Sequence, residues 1–245
     1  MTEERHSTLS LLPGIVDRPQ RTLAQVALYP RGRWWAPTAF LLASLAALAV
    51  VSAPLASQEV TKELQAQLAA LPLEQAQIVQ GQLQFFSAPA FVAGVAIATR
   101  TLGLLVSWLI AAVILYFSSL VAGGELDFGR AFAIMPWVWL PYGLRDLVQA
   151  LYVLLEGKAI VYQGLSFLVA TGDRLKDAQA LPSLLLSQVD LFSLWHCVLV
   201  YAGLRAVARL SGGGAFFLTV TYAALMAILG ALPGLLGGGL VAGGL

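Results

Sequence analysis

The chain has 245 residues, of which 59% are hydrophobic and only 11% are charged, and its mean hydropathy is +0.80. Charged residues make up about a quarter of an average soluble domain, so the core of such a domain could not bury this much apolar surface. The formal net charge of +1 excludes a broad basic surface for nucleic acid and an acidic tail. The composition indicates an integral membrane protein.

Five apolar stretches fill most of the chain and predict membrane-spanning helices. A hydrocarbon core about 30 Å thick needs about 20 helical residues, and in lipid the backbone must satisfy its own hydrogen bonds. The predicted fold is all-α, a polytopic bundle of five transmembrane helices with small amphipathic helices in the N-terminal segment and the outer loops. The predicted spans are residues 36–55, 102–122, 131–155, 189–204 and 215–232.

The N-terminal segment, residues 1–35, is polar and is expected to be cytoplasmic or interfacial. Leu23, Val26 and Ala27 share one face at helical spacing, which predicts either a short helix on the membrane surface or a loosely ordered tail. No cleavable signal precedes the first span, so we expect that span to act as the insertion signal. The expected organisation is this segment followed by a five-span domain, residues 36–245, with outer loops at about 56–88 and 156–188.

Three prolines mark changes at and after the end of the first span. We expect the span to end near Pro54. Residues 58–84 are rich in Gln, Glu, Leu and Ala and predict two amphipathic pieces broken at Pro72, with a Gln-rich tether as the alternative. The second helix either begins near Pro89 and carries Arg100, or follows a separate interfacial helix.

Glycines and prolines shape the second half of the chain. The connector at 123–130 is very short, so the second and third spans are expected to be close antiparallel neighbours. Pro136 and Pro141 predict a kink and a freed backbone carbonyl in the third span. The apolar piece at 159–170 is too short to span and is expected to be interfacial or re-entrant. The glycines at 212–214 predict the turn into the fifth span.

The distribution of Lys and Arg predicts the orientation, because these residues concentrate in cytoplasmic loops. If the N-terminus lies in the cytoplasm, eight Lys and Arg residues lie on the cytoplasmic side and four on the outer side. We therefore expect a multi-pass protein of the plasma (cell inner) membrane, with its N-terminus in the cytoplasm and its C-terminus outside. The inner set is Arg5, Arg18, Arg21, Arg31, Arg33, Arg130, Arg205 and Arg209, and the outer set is Lys62, Lys158, Arg174 and Lys176.

The sequence carries no signature of catalysis or of a bound cofactor. It has no GxxxxGK[ST] phosphate loop, no GxSxG elbow and no HExxH pair. Cys197 is the single cysteine and His6 and His196 are the only histidines, so no transition-metal site is expected. We expect neither an enzyme nor a cofactor. His196 is expected to hydrogen-bond a neighbouring helix rather than to act as a proton switch.

Four ionisable residues form a predicted polar cluster at membrane depth or near its edge: Arg100, Arg145, Asp146 and Asp190. A charge at the centre of a membrane helix costs about 2.5–3.5 kcal/mol, so such groups usually pair or face water. We expect Arg100 or Arg145 to pair with Asp190 and to join the second, third and fourth spans. The alternatives are that each side chain reaches the outer interface separately, or that the cluster contacts a substrate.

Arginines beside the two inner connectors form a second candidate site. Arg130 follows the first connector, and Arg205 and Arg209 precede the glycines of the next. They predict a cytoplasmic basic face that contacts a partner or anionic lipid headgroups. The alternative is that these arginines only set the topology.

Three segments carry a resemblance to a known family. "LVAGGELDFGRAF" joins the second and third predicted spans, "MPWVWLP" lies inside the third, and "VDLFSLWHCVLVYAGLRAVARLSGG" forms the fourth and its exit. Over about residues 20–232, the chain resembles the bacterial branch of the Yip domain family, named for proteins that interact with Ypt/Rab GTPases. The positions that match the family's motifs are Gly123, Gly124, Phe128, Asp190, Phe192 and Trp195.

The resemblance implies a polytopic scaffold or adaptor that assists another membrane complex, and not an enzyme. Eukaryotic relatives act in vesicle traffic with prenylated small GTPases, and some bacterial relatives look like accessory proteins of ABC-type exporters. The N-terminal part of this chain is short and contains no recognisable GTPase-binding region, so the GTPase role does not carry over. The expected partners are the bilayer, a membrane protein such as an ABC-type transporter subunit, or further copies of the chain, but not nucleic acid. The alternative function is a transporter or channel for a small solute or lipid.

Overall fold

The computed structural model describes residues 8–29, 33–69 and 84–236, and the regular structure in these ranges is helical throughout. Two short 3-10 helices lie at Thr8–Leu11 and Ser166–Val169. The α-helices, in chain order, are α1 (Gly14–Asp17), α2 (Pro19–Leu28), α3 (Trp35–Ala69), α4 (Pro89–Val121), α5 (Phe128–Val138), α6 (Leu140–Glu156), α7 (Arg174–Asp177), α8 (Leu181–Leu186), α9 (Leu191–Ala206) and α10 (Gly212–Leu236).

Helices cover each of the five predicted spans. In the part of the chain that the structure describes, α3, α4 and α10 are each long and apolar enough to cross a membrane. The third predicted span is divided between α5 and α6, and the fourth is α9, a shorter apolar helix of 16 residues. The prediction of an all-α, polytopic membrane protein is confirmed.

Helix α3 is longer than the sequence predicted. The sequence predicted that the first span ends near Pro54, whereas the helix itself continues through this proline to Ala69. A proline inside a helix removes one backbone donor, and the Ala, Leu, Gln and Glu residues that follow favour helix strongly enough to continue it. The first of the two amphipathic pieces predicted in residues 58–84 is therefore the end of α3. The second piece and Pro72 lie outside the described residues.

The structure also answers the question left open about the second span. Helix α4 begins at Pro89 and carries Arg100 within it. A proline suits the first turn of a helix, where its missing N–H would have had no partner. The helix ends in a Schellman turn, in which Gly123 has a φ of +73° and the Gly124 N–H donates to the Ser119 carbonyl at 2.8 Å. The chain reverses there, and α4 and α5 pack together as predicted.

The N-terminal segment contains a helix that packs against the bundle. In α2, the side chains of Leu23, Val26 and Ala27 are 0%, 1% and 6% exposed. This face contacts α5 and α9, and Leu23 lies beside Gly203 of α9, where a Cβ would be in ordinary contact at 3.7 Å from Leu23 Cδ1. The apolar face that predicted a helix is therefore buried in protein, and the loosely ordered alternative is wrong for this part of the segment.

The third span breaks at Trp139, between α5 and α6. Pro141 has no N–H to continue the helical ladder. The Tyr142 N–H, which in a continuous α-helix would donate to the Val138 carbonyl, donates instead to the Trp139 carbonyl at 2.9 Å. The Val138 carbonyl is left without its helical partner, which confirms the predicted kink and freed carbonyl.

The loop between α6 and α9 is organised around one buried carboxylate. Asp177 is 3% exposed and accepts hydrogen bonds from the Thr171 N–H at 2.9 Å, the Thr171 hydroxyl at 2.8 Å and the Tyr162 hydroxyl at 3.1 Å. The apolar piece predicted at 159–170 forms no long helix and contains only the 3-10 turn at Ser166–Val169. Below it, α8 packs against α10.

We predict that replacing Gly143 separates α3 from α6. A Cβ at this position would lie 2.7 Å from Phe40 Cε1 and 3.0 Å from Leu41 Cδ2. Gly143→Val should therefore lower the free energy of unfolding in detergent by about 1–3 kcal/mol through overpacking. Gly103→Val on α4 is the control, because a Cβ at Gly103 meets nothing within 4 Å. Equal losses in thermal unfolding would contradict close packing at Gly143.

We predict that acid weakens the loop between α6 and α9 through Asp177. The hydrogen bonds from Thr171, first its backbone N–H and then its hydroxyl, hold the pKa of this carboxyl below its ordinary value of 3.8. A lowered folded pKa stabilises above 3.8, and this contribution is lost as the pH falls through that value to the folded pKa. Thermal unfolding should show this loss in the wild type and not in Asp177→Asn. The Glu156→Gln variant, changed at an exposed position, should lose thermal stability on acidification as the wild type does.

Candidate functional site

An ion pair joins α6 to the start of α9. Arg145 Nη1 lies 3.4 Å from Asp190 Oδ2, and the two side chains are 25% and 17% exposed. Arg145 also stacks over the ring of Tyr142, with its guanidinium carbon 4.8 Å from the ring centroid. Of the two pairings that the sequence left open for Asp190, the structure places Arg145 against it. The structural role of the pair stays a prediction.

Asp190 is held in position by its second function as a helix cap. Its Oδ1 accepts the Ser193 N–H at 2.7 Å, while its own N–H donates to the Ser193 hydroxyl at 2.8 Å. This capping box satisfies two backbone donors at the start of α9. One carboxylate oxygen therefore starts the helix, and the other is directed at Arg145. The sequence predicted the fourth span from residue 189, and the helix begins two residues later, at Leu191, with Asp190 as its N-cap.

Arg100 and Asp146 complete an array of charges in which the sign alternates. Both lie within electrostatic range of Arg145 and of each other. Among the described residues, however, neither forms an ion pair or a hydrogen bond through its side chain. The structure thus brings the four predicted residues into one region and pairs only Arg145 with Asp190. Arg145 Nε is buried and has no hydrogen-bond partner within the described ranges.

His196 is buried in the core, where its side chain connects three helices, α5, α9 and α10. Its Nδ1 is 2.7 Å from the Val138 carbonyl, and its Nε2 is 2.9 Å from the Tyr222 hydroxyl. A carbonyl can only accept, so Nδ1 carries the proton, and in the neutral ring Nε2 accepts from Tyr222. The histidine satisfies the carbonyl freed at the break of the third span, and the expected hydrogen bond to a neighbouring helix is confirmed. The contribution of Tyr222 was not foreseen.

The connectors at 122–127 and 207–211, which we call the connector pair, meet at the other end of α9. The Glu125 N–H donates to the Ala208 carbonyl at 3.0 Å. Arg209 has a φ of +57°, uncommon for a residue other than glycine, and its Nη1 donates to Glu125 Oε2 at 2.8 Å. A Cβ on Gly124 would lie 3.0 Å from the Ala208 carbonyl oxygen, so only glycine permits this contact.

The predicted basic face surrounds the connector pair. Arg130 Nε lies 3.0 Å from Asp127 Oδ2, and Asp127 also caps α5 by accepting the Arg130 N–H. Arg205 Nη1 donates to the Leu210 carbonyl at 2.9 Å. The glycines at 212–214 form the first turn of α10 instead of the predicted turn, because the reversal occurs one step earlier, at 207–211. Sequence spacing gave no signal for the Glu125–Arg209 contact, since the two residues lie far apart in the chain.

A comparison with protein families decides the identity. A family model described as Yip1 domain matches residues 14–233. The chain belongs to the Yip1 domain family. The match runs from α1 into α10 and confirms the resemblance seen in the sequence. A search of the curated proteins and a search of the solved structures each found no match.

In this Yip1 domain, the motif positions divide between the two ends of α9. Asp190, Phe192 and Trp195 lie at its start, where Trp195 packs against the core. Gly123, Gly124 and Phe128 lie at or beside the connector pair. Within the described ranges, no three His, Cys, Asp or Glu side chains converge as metal ligands would. The arrangement offers helix caps, ion pairs and close backbone contacts.

We predict that the ion pair stabilises the Yip1 fold. Asp190→Asn retains a residue that caps helices well but removes the negative charge facing Arg145, so the free energy of unfolding in detergent should fall by about 1.5–3 kcal/mol. Asp190→Ala should cost about 1 kcal/mol more through loss of the cap. Arg209→Gln, which breaks a pair whose side chains are 73% and 65% exposed, should have little effect. Unchanged stability of Asp190→Asn would contradict the structural role of the pair.

Proposed function

We propose that this Yip1-domain protein is a non-enzymatic scaffold or adaptor that assists another membrane complex, with the connector pair as its docking surface. The supporting observation is that three motif residues, Gly123, Gly124 and Phe128, build or adjoin a tightly joined surface and carry no reactive group. The backbone contact between Glu125 and Ala208 holds that surface in one conformation. A preorganised surface loses little entropy when a partner binds.

The charges on the connector pair suit exchange with a partner. Arg209 and Glu125 are 73% and 65% exposed, and Arg130 and Asp127 are 47% and 59% exposed. Exposed ion pairs of this kind contribute little to folding. A partner with complementary charges can therefore replace one member of each pair without destabilising the fold, and such charges favour specificity and rapid association.

The proposed setting is the plasma (cell inner) membrane, with the N-terminus in the cytoplasm and the C-terminus outside. The connector pair then faces the cytoplasm. This is the side on which more Lys and Arg residues are expected than on the outer side. A subunit of an ABC-type exporter is the candidate partner. A second copy of the chain and anionic lipid headgroups are the other partners that this surface could contact.

Transport of a small solute or a lipid is the second candidate function. The observation in its favour is the charge array, because ionisable residues inside a membrane bundle often mark a pathway. Arg145 and Asp190 satisfy each other, however, and they join two helices. A structural use of the array is therefore favoured over a pathway.

Purification from native membrane in mild detergent, followed by mass spectrometry, tests the adaptor proposal. We expect a reproducible, stoichiometric membrane-protein partner with the wild type. Arg209→Glu should reduce its recovery at least severalfold, because the exposed guanidinium becomes a carboxylate beside Glu125. Lys158→Glu, which reverses an exposed charge in the outer loop, should recover the partner normally.

Two results would contradict the proposal. A clean monomer or homo-oligomer that carries only lipid would exclude a stable adaptor and favour transport or lipid handling. Equal recovery of the partner by the Arg209→Glu and Lys158→Glu variants would exclude the connector pair as the docking surface.

A further inference from the structure

A narrow slot runs between α3 and α4 on the outer side of the charge array. Its volume is about 350 Å³, near the lower end of the range for ligand sites, about 300–1,000 Å³. The walls are small and apolar: Ala49, Ala53 and Ala56 on α3 face Val92 and Ala96 on α4. The three alanines recur at helical spacing, but no sequence pattern predicts the slot that they line.

The slot is long, and its two ends differ. The two helices are antiparallel, with the Ser57 hydroxyl donating to the Ser87 carbonyl, so Arg100 and Ala49 lie at one end. The lining of α3 extends over 16 residues, from Ala49 to Leu64, which corresponds to about 22 Å of helix. Phe86 and Phe91 line the other end, where their ring centroids are 5.2 Å apart.

Arg100 is the single charged residue among the described residues that line the slot. Its side chain makes no hydrogen bond or ion pair with another described residue, whereas the neighbouring Arg145 is paired with Asp190. The other nearby charge is Asp146, which lies within electrostatic range but forms no ion pair with Arg100 in the described structure. A partly buried guanidinium in this state favours an anionic ligand, and its planar donors match a carboxylate bidentately.

The dimensions restrict what the slot can hold. An α-helix with its side chains is about 10–12 Å wide, which is too wide for about 350 Å³ drawn out over the length of the lining. The same space suits one extended alkyl chain better than two. The ligand that combines one chain with one compact anion is a single-chain amphiphile that ends in a carboxylate.

We propose that the slot binds a long-chain fatty acid, with its carboxylate on Arg100 and its alkyl chain along the alanine and valine walls toward Phe86 and Phe91. This site is separate from the connector pair and does not depend on the proposed adaptor function. The bound chain covers apolar surface between α3 and α4, and the carboxylate supplies the counter-ion that Arg100 lacks.

The test is binding of labelled palmitate to the purified full chain in nanodiscs of zwitterionic lipid, with methyl palmitate as the uncharged probe. We expect saturable binding of palmitate at one molecule per chain. The ester should bind with an affinity at least about tenfold lower, because it lacks the charge-assisted hydrogen bonds to Arg100. Arg100→Gln should reduce palmitate affinity to that of the ester, and Arg100→Lys should restore part of it.

A matched pair of variants tests the position of the chain. Ala96 lines the slot, so Ala96→Phe should abolish saturable binding, whereas Ala98→Phe, at an exposed position of the same helix, should bind like the wild type. Thermal unfolding identifies any variant that does not fold, and the comparison of palmitate with its ester on the wild type needs no variant.

Equal affinity for palmitate and its ester, or equal binding by the Ala96→Phe and Ala98→Phe variants, would overturn the proposal. Non-saturable uptake into the nanodisc lipid alone would do so as well. None of these results would change whether the purified protein recovers a partner through the connector pair. Failure of the fatty-acid proposal is therefore distinguishable from failure of the adaptor proposal.

Discussion

In a membrane bundle, every buried backbone group must find a partner within the protein, and this requirement determines how the halves of the Yip1 domain are joined. The third span breaks because Pro141 cannot continue the ladder, and the break frees the Val138 carbonyl. His196 of α9 donates to that carbonyl, and Tyr222 of α10 donates to the histidine in turn. A local defect in one helix thereby becomes a hydrogen-bonded connection among three, at a place where lipid could not have supplied a partner.

Hydrogen bonds and close contacts of the backbone also determine the structure at both ends of α9. At its start, one carboxylate caps the helix and pairs with Arg145. At its end, Gly124 allows the chain to approach the Ala208 carbonyl so closely that a side chain would not fit. A buried polar group at a helix end must find its partners within the protein, and the carboxylate of Asp190 serves two of them. Two motif residues follow this pattern, Asp190 as a helix cap and Gly124 as a point of close backbone contact.

The two proposed sites lie in different physical environments and involve different interactions. The connector pair is exposed, charged and held by backbone contacts, which suits a protein partner whose charges replace weak ion pairs. The slot between α3 and α4 is apolar and narrow and ends at an arginine without an ion-pair partner in the described structure, which suits a single amphiphile. Arg100 belongs to both the charge array and the slot lining, and Asp190 pairs with Arg145 rather than with Arg100.

The sequence by itself determined the membrane class, the positions of the five spans, the start of α9 at Asp190 and the break in the third span, since these depend on local composition, capping and proline geometry. Tertiary structure decided what depends on neighbours distant in the chain. It selected Arg145 over Arg100 as the partner of Asp190, carried α3 beyond Pro54, buried the amphipathic face of α2 in protein and placed Tyr222 against His196. No local pattern encodes these contacts, because each is set by which helices pack together and in what register.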